Sequence, residues 1–174
     1  MRDYFLLILA GFITACSQDP GAERTDNTPD KKIIKQVTAI AVKYATDQLK
    51  NPNKIVESDG TIIINDDQKR YVIEPRRIIT GMIDKDQYKD ALISIDTYHG
   101  SYQAVSEQLI IIKQGGKFIL AIALESDMKI LAIKDGIITA EVPTHSRNSP
   151  LFNCPSCREV VNYQFRLGEL IRME

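Results

Sequence analysis

Cys154 and Cys157 are the residues whose spacing most directly suggests chemistry, because only Pro155 and Ser156 separate them. Two cysteines this close can form a small-loop disulfide, a redox-active dithiol or part of a zinc site. A redox pair needs a helix N-terminus or nearby positive charge that lowers the pKa of one thiol. An apparent strand follows the pair here, so we predict a structural disulfide, with the redox and zinc sites as alternatives.

A zinc site built on this pair would need further ligands, since structural zinc takes four and catalytic zinc takes three plus water. His145 could supply a third ligand, and His99 could supply a fourth from a distant loop. The chain has no second Cys-x-x-Cys and no His-x-x-x-His. The sequence therefore favours a hydrogen-bonding role for His145 within its loop.

Asp84, Asp86 and Asp90 place three carboxylates at short intervals in a predicted loop. Such carboxylates can surround calcium when the chain turns sharply at a glycine and a later carboxylate completes the shell. This segment has no glycine, and the twelfth position counted from Asp84 is Ile95. We therefore predict a solvated acidic turn, no bound metal and no cofactor. The weaker metal candidates are Asp84, Asp86, Asp90 and His145.

The sequence shows no recognisable catalytic arrangement. It has no Gly-x-Ser-x-Gly nucleophile elbow, no His-Glu-x-x-His, no P-loop and no dinucleotide fingerprint. Asp90 and Asp96 share strand parity, but any antiparallel sheet produces such pairs by chance. We predict that the protein is not an enzyme. The alternative is an enzyme that acts on envelope material through carboxylates or a metal not identified from the sequence.

The third cysteine, Cys16, follows a segment typical of export signals. Residues 4–12 form an unbroken apolar run after Met1-Arg2-Asp3. This run is too short to span a bilayer, which needs about 20 residues. The next four residues, Ile13-Thr14-Ala15-Cys16, resemble the lipobox of bacterial lipoproteins, with a branched residue at −3 and a small residue at −1.

The lipobox resemblance implies that residues 1–15 are a signal peptide and that the thiol of Cys16 receives diacylglycerol. Each buried methylene contributes about 0.8 kcal/mol, so two or three acyl chains, such as palmitate, hold a protein firmly on a membrane. Ser17 follows where an inner-membrane retention signal usually has Asp. The resemblance therefore favours the outer membrane, with the protein facing the periplasm.

Composition divides the rest of the chain into a tether and one domain. Residues 17–30 have Ala22 as their only apolar side chain other than prolines, so we expect residues 16–30 to be the lipidated cysteine and a flexible tether. Residues 31–174 suit a single domain. The formal net charge is −1, and no basic stripe is visible, so we predict no nucleic-acid partner. Membrane attachment must then come from the lipid.

Patterns of apolar residues predict one helix followed by strands. Residues 33–49 have helical spacing, with Asp30 placed as an N-cap and Pro52 as a stop. Gln114-Gly115-Gly116 and Asp135-Gly136 are typical hairpin turns. Strand patterns occupy residues 61–64, 70–74, 78–83, 91–98, 103–113, 117–124, 128–134, 137–142 and 160–166. We predict an α+β fold, with an N-terminal amphipathic helix packed on a curved, mainly antiparallel sheet.

Two strand segments are apolar on both pleat faces, at residues 109–112 and 121–124. One face of the sheet is expected to contact the helix. The other face must then contact a loop, a second sheet layer or a partner. We expect internal packing, because most apolar runs belong to a core.

Three segments resemble a broad group of uncharacterised bacterial secreted proteins. They are Gly81–Ala91 (GMIDKDQYKDA), Lys129–Ile138 (KILAIKDGII) and a tail with His145, Cys154-Pro155 and Tyr163-Gln164-Phe165. The resemblance implies a compact, exported, β-rich domain and no particular reaction. The acidic turn lacks the glycine often present in that group, so the resemblance does not imply a calcium site here.

Together these features predict a membrane-anchored envelope lipoprotein with a non-catalytic binding or interaction domain. The sheet, or the long loop from Pro143 to Cys157, would hold a ligand or an envelope protein partner. An immunity or inhibitor protein is a concrete form of this hypothesis, because such a protein needs only a surface complementary to one partner.

Overall fold

The computed structural model describes residues 29–84, 86–100, 104–146, 149, 154 and 156–174. Over these residues the chain forms the α-helix α1 (Lys31–Asp47), a short 3₁₀-helix (Pro75–Arg77) and eleven strands. The strands are β1 (Asn53–Val56), β2 (Ile62–Asn65), β3 (Lys69–Ile73), β4 (Ile78–Gly81), β5 (Asp90–His99), β6 (Val105–Gln114), β7 (Lys117–Glu125), β8 (Lys129–Lys134), β9 (Ile137–Pro143), β10 (Arg158–Arg166) and β11 (Glu169–Arg172). The predicted signal peptide, Cys16 and residues 17–28 of the predicted tether lie outside the described residues.

The strands form two sheets, whereas the sequence predicted one. The first sheet has the order β1-β2-β3-β5-β6-β7, and β4 pairs with the same edge of β5 as β3 does. The second sheet has the order β11-β10-β9-β8. All the described strand pairs are antiparallel. A sheet-dominated, mainly antiparallel α+β fold is therefore confirmed, but the chain leaves the first sheet between β7 and β8 to build a second.

Helix α1 covers one face of the first sheet. Asp30 precedes it and accepts a hydrogen bond from the backbone N–H of Lys32 at 2.9 Å, which satisfies one free donor of the first helical turn. Val37, Ala41 and Ala45 recur every four residues, are fully buried and pack against apolar side chains of β2, β3, β5 and β6. None of the helices in the described part of the chain is long and apolar enough to cross a membrane.

The second sheet covers part of the opposite face of the first sheet. Because side chains alternate along a strand, Leu92 and Ile110 point away from the helix. Both are fully buried, and they cluster with Ile130, Ile138 and other apolar side chains of the second sheet. The strands β5 and β6 therefore carry a separate core on each face, which explains why their sequences contain runs apolar on both pleat faces.

A joint between the sheets lies where β4 meets β8. A Cβ atom at Gly81 would lie 2.5 Å from Cγ2 of Ile133, so the backbone of β4 approaches that side chain closely. Next to it, the backbone N–H of Gly136 donates to the carbonyl oxygen of Met82 at 2.9 Å. Glycine is needed at position 81 because there is no room for a side chain between β4 and Ile133.

Two hairpin turns occur at the predicted sequences. Gly115 and Gly116 join β6 to β7, and Asp135 and Gly136 join β8 to β9, with positive φ at all four residues. Two consecutive positive φ values suit a tight hairpin.

The strands β1 and β11 were not predicted, because each has four residues without an alternation of buried and exposed side chains.

Candidate functional site

The acidic turn brings its three predicted carboxylates together. One oxygen from each of Asp84, Asp86 and Asp90 lies within 4.8 Å of the others. Asp84 Oδ1 accepts from the backbone N–H of Asp86 at 3.1 Å, and Asp86 Oδ1 accepts from that of Tyr88 at 2.7 Å. The oxygens are close enough to share a cation, yet these carboxylates already stabilise the turn through local hydrogen bonds.

Asp90 is the buried member of this cluster. Its Oδ2 accepts from the backbone N–H of Ile83 at 2.7 Å, and its Oδ1 accepts from that of Lys113 at 2.8 Å. Burial raises the pKa of Asp90, the backbone donors act in the opposite direction, and the charge of Asp84 raises it further. This carboxylate therefore ties the acidic turn to the end of β6.

His145 lies apart from the acidic cluster. Among the described residues, the group whose ligand atoms could share an ion contains the three aspartates and no histidine. His145 is half-buried in the segment after β9, whereas His99 is exposed at the end of β5. The structure thus brings together three of the four weaker metal candidates and separates His145 from them.

Cys154 and Cys157 form a disulfide, with Cα atoms 5.2 Å apart. The carbonyl oxygen of Cys157 accepts hydrogen bonds from both the backbone N–H and the hydroxyl of Thr144, at 2.9 and 3.0 Å. These hydrogen bonds hold together the two ends of the segment between β9 and β10. In the disulfide neither sulfur is a thiolate, so this oxidised pair has no thiolate to act as a nucleophile or to ligate zinc.

The first sheet ends at β1, whose outer edge has no strand partner among the described residues. All four residues of β1 are exposed. Two of them are apolar, namely Ile55, which is 48% exposed, and Val56, which is 60% exposed. An edge strand with free backbone groups and exposed apolar side chains is a template for pairing with another chain.

A cleft of about 350 Å³ lies beside the joint between the two sheets. This volume falls in the range of small-molecule sites, roughly 300–1,000 Å³. The cleft combines apolar, hydroxyl and cationic side chains from both sheets. The lining residues are Arg76, Arg77, Ile79, Ser94, Ser106, Asp127, Met128, Lys129 and Ile130.

Polar side chains of β5 and β6 form a hydrogen-bonded row beside this cleft. Asp96 accepts from the hydroxyl of Ser106 at 3.0 Å and from Nη1 of Arg77 at 2.7 Å. The hydroxyl of Ser94 donates to Gln108, whose amide donates to a main-chain carbonyl just before β8 at 3.2 Å. The row fixes the position of Arg77 and joins the first sheet to the start of the second.

A second polar network lies on the helix-covered face of the first sheet. The carboxylate of Glu107 accepts from the hydroxyls of Tyr44 and Thr97, at 2.6 and 2.7 Å, and lies 3.8 Å from Nζ of Lys69. Lys69 also donates to the hydroxyl of Tyr71. Burial raises the pKa of both tyrosines, and Glu107 raises each further. This network holds the helix on the sheet.

The sequence did not reveal the cleft, because its residues come from segments that are far apart in the chain. A weak signal was present in the two central strands. Polar residues occupy alternate positions there, with Ser94 and Asp96 in β5 and Ser106 and Gln108 in β6. Polar residues at alternate positions of an otherwise apolar strand indicate that one face of the sheet is not packed against a hydrophobic core at that place.

Comparison with known proteins gives no family assignment. Neither a family model, nor a curated protein, nor a solved structure matches this chain. Its function is therefore inferred from its own residues and their geometry.

Proposed function

We propose that this protein is a lipid-anchored envelope lipoprotein whose domain binds a partner and does not catalyse a reaction. Diacylglycerol on Cys16 is the anchor, and Ile13-Thr14-Ala15-Cys16 is the sequence that supports it. The outer membrane is the proposed location, with the domain facing the periplasm. The helix α1, packed on a curved sheet, would act as a rigid scaffold for the binding surface.

The exposed apolar edge of β1 is the observation that favours a binding domain. Ile55 and Val56 are about half exposed beside an edge that no described strand pairs with. Soluble proteins commonly protect such edges with charges, prolines or bulges, and Lys54 is the only charged residue of β1. An extended segment of an envelope protein could pair with β1 and cover its apolar side chains. An immunity or inhibitor protein would use such a surface.

Site-specific crosslinking tests this surface. A photoreactive amino acid at position 55 should give one dominant adduct in the envelope of the native cells. In a chain without the photoreactive residue, Ile55→Asp should abolish copurification of the same protein. Leu131 is a matched control, because it is 45% exposed in the second sheet while Ile55 is 48% exposed in the first. Leu131→Asp should leave capture unchanged. Equal loss with both variants, or no adduct from position 55, would contradict the proposal.

Metabolic labelling with palmitate tests the anchor separately. Cys16→Ser should abolish labelling, because the serine hydroxyl cannot replace the thiol that receives the lipid. Cys157→Ser is the control: it breaks the disulfide of the domain, leaves Cys16 in place and should leave labelling intact. Persistent labelling of the Cys16→Ser protein would show that the lipid is attached elsewhere or that no lipobox is used.

A further inference from the structure

We infer that the cleft between the two sheets binds a small amphiphilic anion, meaning an apolar body that carries one carboxylate or phosphate group. The cleft is formed by the 3₁₀-helix, β4, β5, β6 and β8. It is a different place from the β1 edge, so this inference goes beyond the proposed function. It holds or fails independently of the lipid anchor and of any protein partner.

The cleft offers an ordered apolar surface to the body of the ligand. Ile79, Met128 and Ile130 line it. Met128 and Ile130 are themselves 7% and 8% exposed, because they pack into the core between the two sheets. A ligand in contact with them would bury apolar surface against side chains that are already fixed, which lowers the entropic cost of binding.

One cation of the cleft lining is available to an anion without the loss of an ion pair. Arg76, Arg77 and Lys129 contribute three cations and Asp127 one carboxylate, which has an interaction of its own. Arg76 donates through Nε to Glu74 at 2.7 Å. Arg77 forms ion pairs with Asp96 and Glu74, so Lys129 is the remaining cation of the lining. Among the described residues, the ammonium group of Lys129 has no hydrogen-bond or ion-pair partner. Lys129 is exposed, so a ligand carboxylate or phosphate can approach its ammonium group and form a charge-assisted hydrogen bond with it.

Arg77 presents donors in a fixed direction. Its Nη1 donates to Asp96 Oδ2 at 2.7 Å and lies 3.6 Å from Glu74 Oε1. Both contacts involve this one nitrogen, and Nε and Nη2 have no acceptor in the described part of the chain. The side chain is 31% exposed. A planar guanidinium held at one nitrogen can offer its remaining N–H groups to a carboxylate or a phosphate with little loss of freedom.

Binding can be measured with three probes that share one apolar body. They are 3-phenylpropionate, 3-phenylpropyl phosphate and 3-phenylpropylammonium, each titrated into the full chain as isolated from cells. The methyl resonances of Met128 and Ile130 report contact with the cleft. We expect saturable shifts with at least one anion and none with the ammonium, and the tighter anion identifies the head group. No shift with either anion, or equal shifts with the ammonium, would overturn the inference.

Charge variants distinguish binding of the anion in the cleft from its nonspecific attraction to positive charges elsewhere on the protein. Lys129→Glu combined with Arg76→Gln should weaken binding of the tighter anion about tenfold or more, because the variant removes two cations and adds an anion. Lys134→Glu is the control for the Lys129→Glu change, since Lys134 is exposed at the other end of the same strand and does not line the cleft. It should change affinity less than about twofold. Equal weakening by both variants would contradict a specific site.

A milder variant protects this test against misfolding. Lys129→Gln should weaken binding of the anion in the same direction but less, with an unchanged melting temperature, because Lys129 is exposed. All samples contain the same detergent, so partitioning of the probes into micelles cancels in the comparison. Wild-type affinity in Lys129→Gln would show that the ammonium does not contact the ligand and would overturn its assignment to the site.

Discussion

The two faces of the first sheet differ in how completely their hydrogen-bonding groups are paired within the protein. Under the helix, Glu107 accepts hydrogen bonds from Tyr44 and Thr97 and lies beside Lys69, so its charge is matched within the protein. Beside the opposite face, the charge of Arg77 is also matched, by Asp96 and Glu74, but both contacts use one nitrogen. Its other N–H groups have no acceptor among the described residues. Buried polar groups alone therefore do not mark a site. A network that is closed within the protein stabilises the fold, whereas accessible donors without a protein acceptor are available to a ligand.

The largest effect should come from the cores that define the two faces. Leu92 and Ile93 are neighbours in β5, are both fully buried and belong to different core clusters. Replacing either by alanine should lower the free energy of unfolding by about 2–5 kcal/mol, because each leaves a cavity. Urea unfolding measures the change. If only Ile93→Ala destabilised the protein, the second sheet would not pack on the first, and the cleft between them would not exist.

A smaller effect is expected within the closed network. Glu107→Ala leaves the hydroxyls of Tyr44 and Thr97 without their acceptor and should cost about 1–3 kcal/mol of stability. Glu107→Gln keeps an oxygen acceptor and should cost less. On the opposite side, Lys129→Gln should change stability by less than about 0.5 kcal/mol, because an exposed group without a partner contributes little. An equal loss of unfolding free energy for Glu107→Ala and Lys129→Gln, measured with urea, would contradict the difference between the two faces.

The smallest effect should be a pH dependence at Asp90, where backbone donors offset part of the cost of burial. Because its pKa is raised in the folded protein, the folded chain holds this proton more strongly than the unfolded chain does. The resulting stabilisation is complete below the ordinary pKa of 3.8 and is lost as pH rises through the raised pKa. Asp90→Asn does not titrate and serves as the reference.

Urea unfolding of both proteins over a pH series gives the contribution of Asp90. The stability of the wild type relative to Asp90→Asn should fall as pH rises from below 3.8. The subtraction removes the titration of other carboxylates that behave alike in both proteins. A relative stability that increased with pH would show that the backbone donors outweigh burial.

The features that could be predicted from the sequence are local ones. Asp135-Gly136 can be recognised as a turn because these residues accept positive φ more readily than others do. Cys154 and Cys157 are three residues apart, so their pairing requires no knowledge of the rest of the chain. The clustering of Asp84 and Asp86 likewise results from hydrogen bonds between near neighbours.

The features that could not be predicted depend on contacts between distant segments. The period-two pattern of β8 and β9 is the same whether these strands extend the first sheet or start a second, so the division into two sheets has no local signal. Arg77 and Asp96 are 19 residues apart and meet only because β4 and β3 pair with the same edge of β5. The cleft that they border follows from this long-range pairing.

Gly81 affects the width of the cleft although it does not line it. A methyl group there would push Ile133 and the rest of β8 away from β4. Because β8 also carries Lys129 and Ile130, the spacing of the whole cleft would change with it. The lack of a Cβ atom at residue 81 would thus set the size of the molecules that fit the cleft. The residues that line the cleft would select among those molecules by charge.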